Sequence, residues 1–304
     1  MRYQSANEYY RSLFGSKVYR IALDAGCTCP NRDGKAGFGG CIFCSGSGSG
    51  EFAADRALPV KEQLEQAIGK VRSKCDSDQY IAYFQNFTNT YGDEKILSAK
   101  YEEALADPRV VGISIATRPD SISEKMYGIL EDLAGRTHVW VELGLQTIHE
   151  SSARWMRRGY ALPVFEESVN RLARIRGNLD VIVHVIMDLP CEDEKMMIQT
   201  IDYCCTLPIH GIKIANLNVL RGTDLEKEYM EKKFPLLDLE EYIKLLEKIV
   251  LRLRPDMVIY RMTGDGAKNA LIAPLWVGNK RIVRNSIEAA FRKDDIVQGR
   301  EYRP

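Results

Sequence analysis

The sequence predicts an α/β fold: a partial (β/α)6 barrel followed by a C-terminal helical extension. Three observations point there. Six short apolar runs alternate with segments whose apolar residues recur at i, i+3 and i+4, the rhythm of strands and helices in series. Most of the runs are nearly continuous in apolar residues, as strands covered on both faces are. A loop rich in glycine and cysteine directly follows the first run, where a parallel barrel presents its site loops.

In chain order the expected strands are residues 18–23, 80–84, 110–115, 138–143, 180–186 and 211–215. The expected helices between them are 60–74, 93–106, 123–133, 163–176 and 193–205. Asp93 and Ser123 suit N-cap positions, because their side-chain oxygens accept a bond from a free first-turn N–H. Pro163 suits a first helical position, where its missing N–H costs nothing. Pro108 and Pro208 follow helical runs and stop them. Parallel strands joined this way take right-handed crossovers. A closed barrel wants eight such units, so six leave it open. Beyond residue 216 the pattern gives helices at 237–253 and 279–293 and a strand at 257–260. The expected division is an N-terminal extension at 1–16, a barrel at 17–253 and a C-terminal extension at 254–304, packed on the barrel. A doubly wound open sheet fits the same alternation; the cysteine loop favours the barrel.

The chain has 304 residues, 45% of them hydrophobic, enough for a large core. Its 42 Lys and Arg balance 42 Asp and Glu, so no long-range field advertises a polyanionic partner. A local basic face is still compatible with a neutral total. No apolar run approaches the roughly 20 residues of a membrane span. The N-terminal MRYQSANEYYRSLFG has no apolar leader segment. A cytoplasmic protein with no membrane partner is expected, and its eight cysteines are then not a disulfide framework. Cys27, Cys29, Cys41 and Cys44 crowd together; Cys75, Cys191, Cys204 and Cys205 are scattered, the last two suited to helix packing.

The crowded stretch reads Cys27-Thr-Cys29-Pro-Asn-Arg-Asp-Gly-Lys-Ala-Gly-Phe-Gly-Gly-Cys41-Ile-Phe-Cys44. Two cysteines separated by two residues grip one metal centre, and a third comes from further away. Three thiolates on a four-iron cluster leave one iron open to the amino and carboxylate groups of S-adenosylmethionine (SAM). An electron passed into the sulfonium then yields a 5′-deoxyadenosyl radical, with the protein supplying orientation and exclusion of water. The alternative is a tetrahedral zinc knot of four thiolates, in a binding protein without catalysis. Spacing does not say whether Cys27 or Cys29 is the third cluster ligand.

The run CPNRDG-x5-GC-x2-C followed by SGSGSGEFA resembles the radical SAM proteins related to the Elongator catalytic subunit, in the YhcC-like subgroup. The resemblance continues through YFQNFTNTY (83–91), SIATRPD (114–120), VELGLQT (141–147), RRGY (157–160), IMDLP (186–190), RMTGD (261–265) and APLW (273–276). It implies a TIM-like radical SAM barrel with a [4Fe-4S] cluster on Cys29, Cys41 and Cys44, and Cys27 as a neighbour. It also implies SAM contacts from Gln85, Asn86 and Thr88 at the second-strand exit, from Gln146, from Arg158 toward the SAM carboxylate, and from His184. Glu142 joins this set because a carboxylate alternating with apolar neighbours faces the barrel interior, where a charge needs a partner. Gln85 and Gln146 equally fit strand-end caps, Arg158 a surface charge and His184 a satisfied core histidine. Two loops depart from the family pattern: RRGY stands for Asn-Arg-Gly-His, and DLPCE for Gly-Leu-Pro-Gly-Glu.

Relatives of the Elongator catalytic subunit modify the wobble uridine of tRNA at carbon 5 and carry an acetyltransferase domain, which a chain of this length is not expected to hold. The expected reaction is radical chemistry on an aminomethyl-type side chain of that uridine, such as removal of a carboxymethyl group. Lys280, Arg281 and Arg284, with Arg292 and Lys293, offer contacts to tRNA phosphates or form a solvated helix face. The alternative substrate is a small metabolite or a protein side chain, with RMTGDG and APLW as pocket walls and Trp276 and Tyr260 stacking on it or serving as core. Reduced flavodoxin or ferredoxin is the expected electron donor. Tyr83, Tyr91 and Cys191 are candidates to quench a product radical.

Overall fold

The structure, a computed structural model, describes residues 2–48, 50, 53–72, 77–232, 234–266 and 268–304. In chain order the elements are α1 (Ala6–Phe14), β1 (Tyr19–Leu23), α2 (Val60–Arg72), β2 (Tyr80–Phe84), α3 (Glu94–Leu105), β3 (Val110–Thr117), α4 (Glu124–Arg136), β4 (His138–Gln146), α5 (Glu150–Trp155), α6 (Leu162–Leu172), β5 (Leu179–Met187), α7 (Glu194–Thr206), β6 (Gly211–Asn216), β7 (Val219–Leu220), α8 (Asp224–Lys232), α9 (Leu239–Arg252), β8 (Val258–Arg261), β9 (Leu271–Ala273) and α10 (Lys280–Lys293). Seven strands form one parallel sheet in the order β1-β2-β3-β4-β5-β6-β8, curled into a barrel whose first and last strands do not pair. Strands β7 and β9 pair antiparallel as a separate ribbon.

The expected strands are all present, and both N-cap signals act as read, while Pro163 stands second in its helix, after Leu162. Asp93 accepts from Lys95 N and Ile96 N at the start of α3, and Ser123 from Met126 N at the start of α4. The helix expected at 60–74 is described to Arg72; its last two residues and Cys75 lie outside the described residues. The strand expected within the C-terminal extension pairs in parallel with β6, so that extension adds a seventh strand before leaving the barrel. Among the described residues no helix is long and apolar enough to cross a membrane.

Strand alternation divides the interior in two. Residues such as Ile113, Ile115, Val139, Val141, Val181, Val183, Ile212 and Ile214 face outward and pack under the helices in the main core. Cys204 and Cys205 of α7 join that core. On the inner face, Ile81, Trp140 and Ile182 form an apolar floor, closed from below by Tyr10 of α1. Gly112 makes this floor possible: a Cβ there would stand 2.7 Å from the Trp140 ring. Helix α1 carries a capping box of Ser5 and Glu8, and its Tyr9 hydroxyl donates to Asp180 at 2.6 Å. Above the floor the inner face turns polar, and there the strands open into a cavity.

Candidate active site

The loop after β1 is built by its own backbone. Arg32 N and Asp33 N donate to Cys29 O at 2.8 and 3.3 Å, and Cys44 N donates to Cys41 O at 3.0 Å, closing a turn at each end. Arg32 ties these turns together by donating to Cys44 O at 3.0 Å and to Ser45 O. Asn31 reaches outward: its Nδ2 donates to Arg157 O at 2.5 Å and lies 3.4 Å from Cys41 Sγ. The β2 exit holds the loop from the other side through Phe87 N to Gly48 O and Thr88 N to Thr28 O. Gly48 has φ +63°, and any Cβ on it would stand 2.4 Å from the Phe87 ring. A side chain at this position would push the loop off the β2 exit.

Cys29, Cys41 and Cys44 line one cavity of roughly 300 Å³ at the C-terminal end of the strands. Cys27 does not line it; its thiol is buried in the main core, where burial raises its pKa to about 11. A fourth thiolate for a zinc knot is therefore missing from the cavity wall. Three thiols on one cavity wall match the ligand number of a cluster with one iron left to a ligand. Burial, then the charge of Cys44, raises Cys41 to about 12, so a metal has to displace its proton on binding.

Six of the seven expected SAM contacts line the same cavity: Gln85, Thr88, Glu142, Gln146, Arg158 and His184. Asn86 does not. It follows Gln85 and turns to the opposite side, where its Nδ2 donates to the buried Asp24 at 2.7 Å. Thr88 keeps a buried hydroxyl without a hydrogen-bond partner, a polar atom suited to a ligand. Arg158 differs from the expected bidentate fork and from a surface charge. It is 2% exposed, and its Nε and Nη1 are spent on the carbonyls of Tyr160, Leu145 and Thr147, bracing the β4 exit. Its Nη2 has no hydrogen bond and lies 3.7 Å from Glu150, so a ligand meets at most one N–H edge.

Glu142 is the centre of a polar layer to which six strands contribute. Its carboxylate accepts from Arg20 of β1, Tyr83 of β2 at 2.9 Å, Ser114 of β3 at 2.9 Å, His184 of β5 at 2.7 Å and Lys213 of β6. Burial opposes its ionisation, but Arg20, Lys213 and the hydrogen bond from His184 hold the carboxyl well below the usual range. Burial, then Lys213, lowers His184 to about 4 against the pull of Glu142, leaving the imidazole neutral at neutral pH. Its Nε2 faces an ionised carboxylate and so carries the proton, which leaves Nδ1 as an acceptor. With both oxygens engaged, Glu142 orients His184 and is poorly placed to hold SAM itself.

Non-glycine residues with left-handed backbone gather at the strand exits: Phe87 at φ +57°, Gln146 at +68° and Asp188 at +68°, with Arg157 at +59° before α6. Each costs on the order of 1–3 kcal/mol, and such strain clusters at binding sites. Sequence reasoning does not single out Arg118, which follows β3 inside the SIATRPD motif. It lines the cavity, stacks 5.0 Å from the Tyr160 ring and donates to Arg158 O at 2.8 Å. Lys213 and Arg20 escape it too, each hidden in an apolar strand. Trp276 and Tyr260 are core instead of cavity wall: Trp276 donates to Leu237 O and packs on Tyr242, and Tyr260 packs on Tyr10. Cys191 is exposed and off the cavity, and Tyr91 is also off it, whereas Tyr83 is on its wall.

The comparisons with known proteins agree with this geometry. The radical SAM superfamily model matches residues 29–204, beginning at Cys29, and the radical SAM C-terminal domain model matches residues 209–293. The chain is 40% identical to the uncharacterized protein YtqA of Bacillus subtilis over 98% of its own length and 92% of that protein's. It is 30% identical to YhcC of Escherichia coli over 88% of its length and 85% of that protein's. The fold matches archaeal Elp3 of Methanocaldococcus infernus with a TM-score of 0.69 at 15% identity, covering 92% of this chain and 64% of that one. The chain belongs to the radical SAM superfamily, whose members work with a [4Fe-4S] cluster and S-adenosylmethionine.

Proposed function

We propose that this enzyme modifies the side chain of the wobble uridine of a tRNA by radical chemistry. Cys29, Cys41 and Cys44 hold the cluster, and Gln85, Thr88, Gln146, His184 and the Nη2 of Arg158 hold SAM. When bound, these groups supply a hydrogen-abstracting carbon radical inside a cavity closed below by the polar layer around Glu142.

One observation carries the nucleic-acid reading. Where the cavity wall ends at Cys44 and Asp265, a second concavity begins, walled by Ser45, Gly46, Ser47, Lys268, Asn269, Asn279, Lys280 and Arg281. Lys268, Lys280 and Arg281 are exposed there. Lys280, paired with Asp265, and Arg281 occupy the first turn of α10, where the helix dipole is already positive and an added cation such as Arg281 costs about 0.3–1 kcal/mol. Phosphate bound at this rim would reverse that cost. Arg292 and Lys293 sit at the far end of α10, roughly 18 Å away at 1.5 Å per residue, within reach of a neighbouring phosphate.

Filter binding of tRNA across a salt series tests this reading. The expected result is affinity that falls steeply with salt and weakens with a shallower salt slope in Lys280→Ala/Arg281→Ala. Absence of salt-dependent tRNA affinity, or a normal modified-nucleoside profile in a deletion strain with an altered metabolite pool, would overturn it in favour of a small-molecule substrate.

A further inference from the structure

The cavity has a second half that the expected cofactor contacts leave unused. It is walled by the exits of β6 and β8: Asn216, Asn218, Arg261 and Asp265, with Leu217 and Leu220 between them. Asn216 is a brace. Its Nδ2 donates to Asn218 Oδ1 at 2.8 Å, and its Oδ1 accepts from Gly264 N at 2.9 Å. This fixes the orientation of the Asn218 amide: Oδ1 is taken, and the Nδ2 donors remain for a ligand. That Nδ2 lies against Gly264, close enough that a Cβ on Gly264 would stand 2.5 Å from it.

The next residue is Asp265. Its Oδ2 accepts from Arg261 Nη2 at 2.8 Å and its Oδ1 from Lys280 Nζ at 2.8 Å. The two cations keep the carboxylate ionised and oriented, and each oxygen retains lone-pair capacity for a further donor. Arg261 uses part of its fork on Asp265 and has further N–H groups to offer. Asn218, Asp265 and Arg261 all line this half of the cavity and offer it donor, acceptor and donor groups, with Leu217 and Leu220 beside them.

We propose that Asn218, Asp265 and Arg261 form a base-reading subsite for the imide edge of a uracil ring. Uracil presents carbonyl, N–H and carbonyl in a row, the complement of donor, acceptor and donor. Cytosine places an acceptor nitrogen against Asp265 and an amino group against one of the donors, so two of its three contacts oppose. A site built to hydrogen-bond one ring edge disfavours a ring that sets acceptor against acceptor and donor against donor. Leu217 and Leu220 contribute apolar contact without base preference. This subsite rests on the nucleic-acid reading above, and adds to it which residues of this chain choose the base.

The test uses RNA hairpins that are identical except for one loop nucleotide: uridine, cytidine or an abasic site. Their affinities for the full-length reconstituted protein are read by fluorescence anisotropy. The expected result is a preference for uridine of about tenfold over both others. Asn218→Ala is expected to reduce that preference to within about twofold while keeping the affinity for the abasic hairpin, which phosphate contacts supply. Asp265→Asn, whose amide presents N–H where the carboxylate accepted, is expected to shift preference from uridine toward cytidine. Thermal melting of both variants separates misfolding from altered choice. Equal, salt-dependent binding of all three hairpins by the wild type would overturn the subsite and leave the nucleic-acid reading standing. Retained uridine preference in both folded variants would also overturn it. Failure of the wild type to bind any hairpin would remove the nucleic-acid reading itself.

Discussion

Replacing Glu142 with Gln keeps the size of the side chain and removes its charge from between two cations. The Glu142 side chain is fully buried, Lys213 is 7% exposed and Arg20 is 18% exposed, so neither cation recovers its lost partner by turning to water. Breaking a buried ion pair from one side costs about 3–5 kcal/mol, mainly because the remaining charge stays buried. For a chain of this size about 2 °C of melting temperature accompanies each kcal/mol, giving a loss of about 6–10 °C. Removing the second charge should recover part of it: Glu142→Gln/Lys213→Met is expected to be more stable than Glu142→Gln by at least about 1 kcal/mol. The pH dependence follows from the same charges. Burial, then Arg20, already holds the Lys213 pKa well below its usual value against the pull of Glu142. Without the carboxylate it falls further, and the folded state then binds fewer protons than the unfolded chain. Stability of Glu142→Gln therefore rises with pH over a wider range than that of the wild type, toward the unfolded lysine value of about 10.4. The assay is thermal unfolding followed by circular dichroism at pH 7 and near pH 9.5. A gap from wild type that is equal at both pH values, with no recovery in the double variant, would refute the buried-charge reasoning and leave only a loss of shape.

Further outcomes are expected elsewhere in the molecule. Asn31→Ala removes the N–H beside Cys41 Sγ and should make the cluster harder to reduce, read as a lower midpoint potential in a titration followed by electron paramagnetic resonance. Gly48→Ala places a Cβ 2.4 Å from the Phe87 ring at a left-handed φ, and should lower the iron and sulfide retained per chain after reconstitution. Arg157→Asn should raise stability by about 0.5–1 kcal/mol in thermal melts, since Asn adopts φ +59° more readily and the lost pair with Asp224 is exposed. Burial raises Asp188 to about 6, above its unfolded value, so its ionisation drains stability as pH climbs through about 4 to 6. Asp188→Asn should therefore stabilise more at pH 8 than at pH 4.

Much of the barrel is legible because a parallel sheet covered on both faces writes its strands as apolar runs. The same rule hides what matters chemically. Arg20, Ser114, Glu142, His184 and Lys213 read as interruptions in apolar segments, and only strand alternation under a shared cavity turns them into one layer. Helix α1 is hard to read although Ser5 and Glu8 spell its capping box, since aromatic and charged residues obscure its apolar face. Strand β8 is legible as a strand, but its place in the sheet is not, because pairing with β6 is a long-range fact. Asn86 groups with Gln85 and Thr88 by motif, whereas consecutive residues on an extended exit point to opposite sides. The position of Arg158 in RRGY suggests a ligand contact; its nearly complete burial instead commits it to backbone carbonyls. The two departures from the family pattern carry a conformational signal. Arg157 stands at the Asn and Asp188 at the Gly of the motif pattern that the sequence resembles, and both hold left-handed backbone. Those family residues are the ones that tolerate such φ, so the pattern itself marks the strained exits.

Three cysteines holding a cluster that works on SAM are the heart of the proposed chemistry, and one experiment meets that directly. The protein is purified without oxygen, reconstituted with iron and sulfide and reduced with dithionite, with and without tRNA, and SAM is followed by chromatography. The expected result is a brown protein that forms 5′-deoxyadenosine and loses both colour and product on Cys41→Ala, while Cys27→Ala keeps them. A colourless protein that retains zinc, or a fully loaded one that leaves SAM intact with and without tRNA, would contradict it.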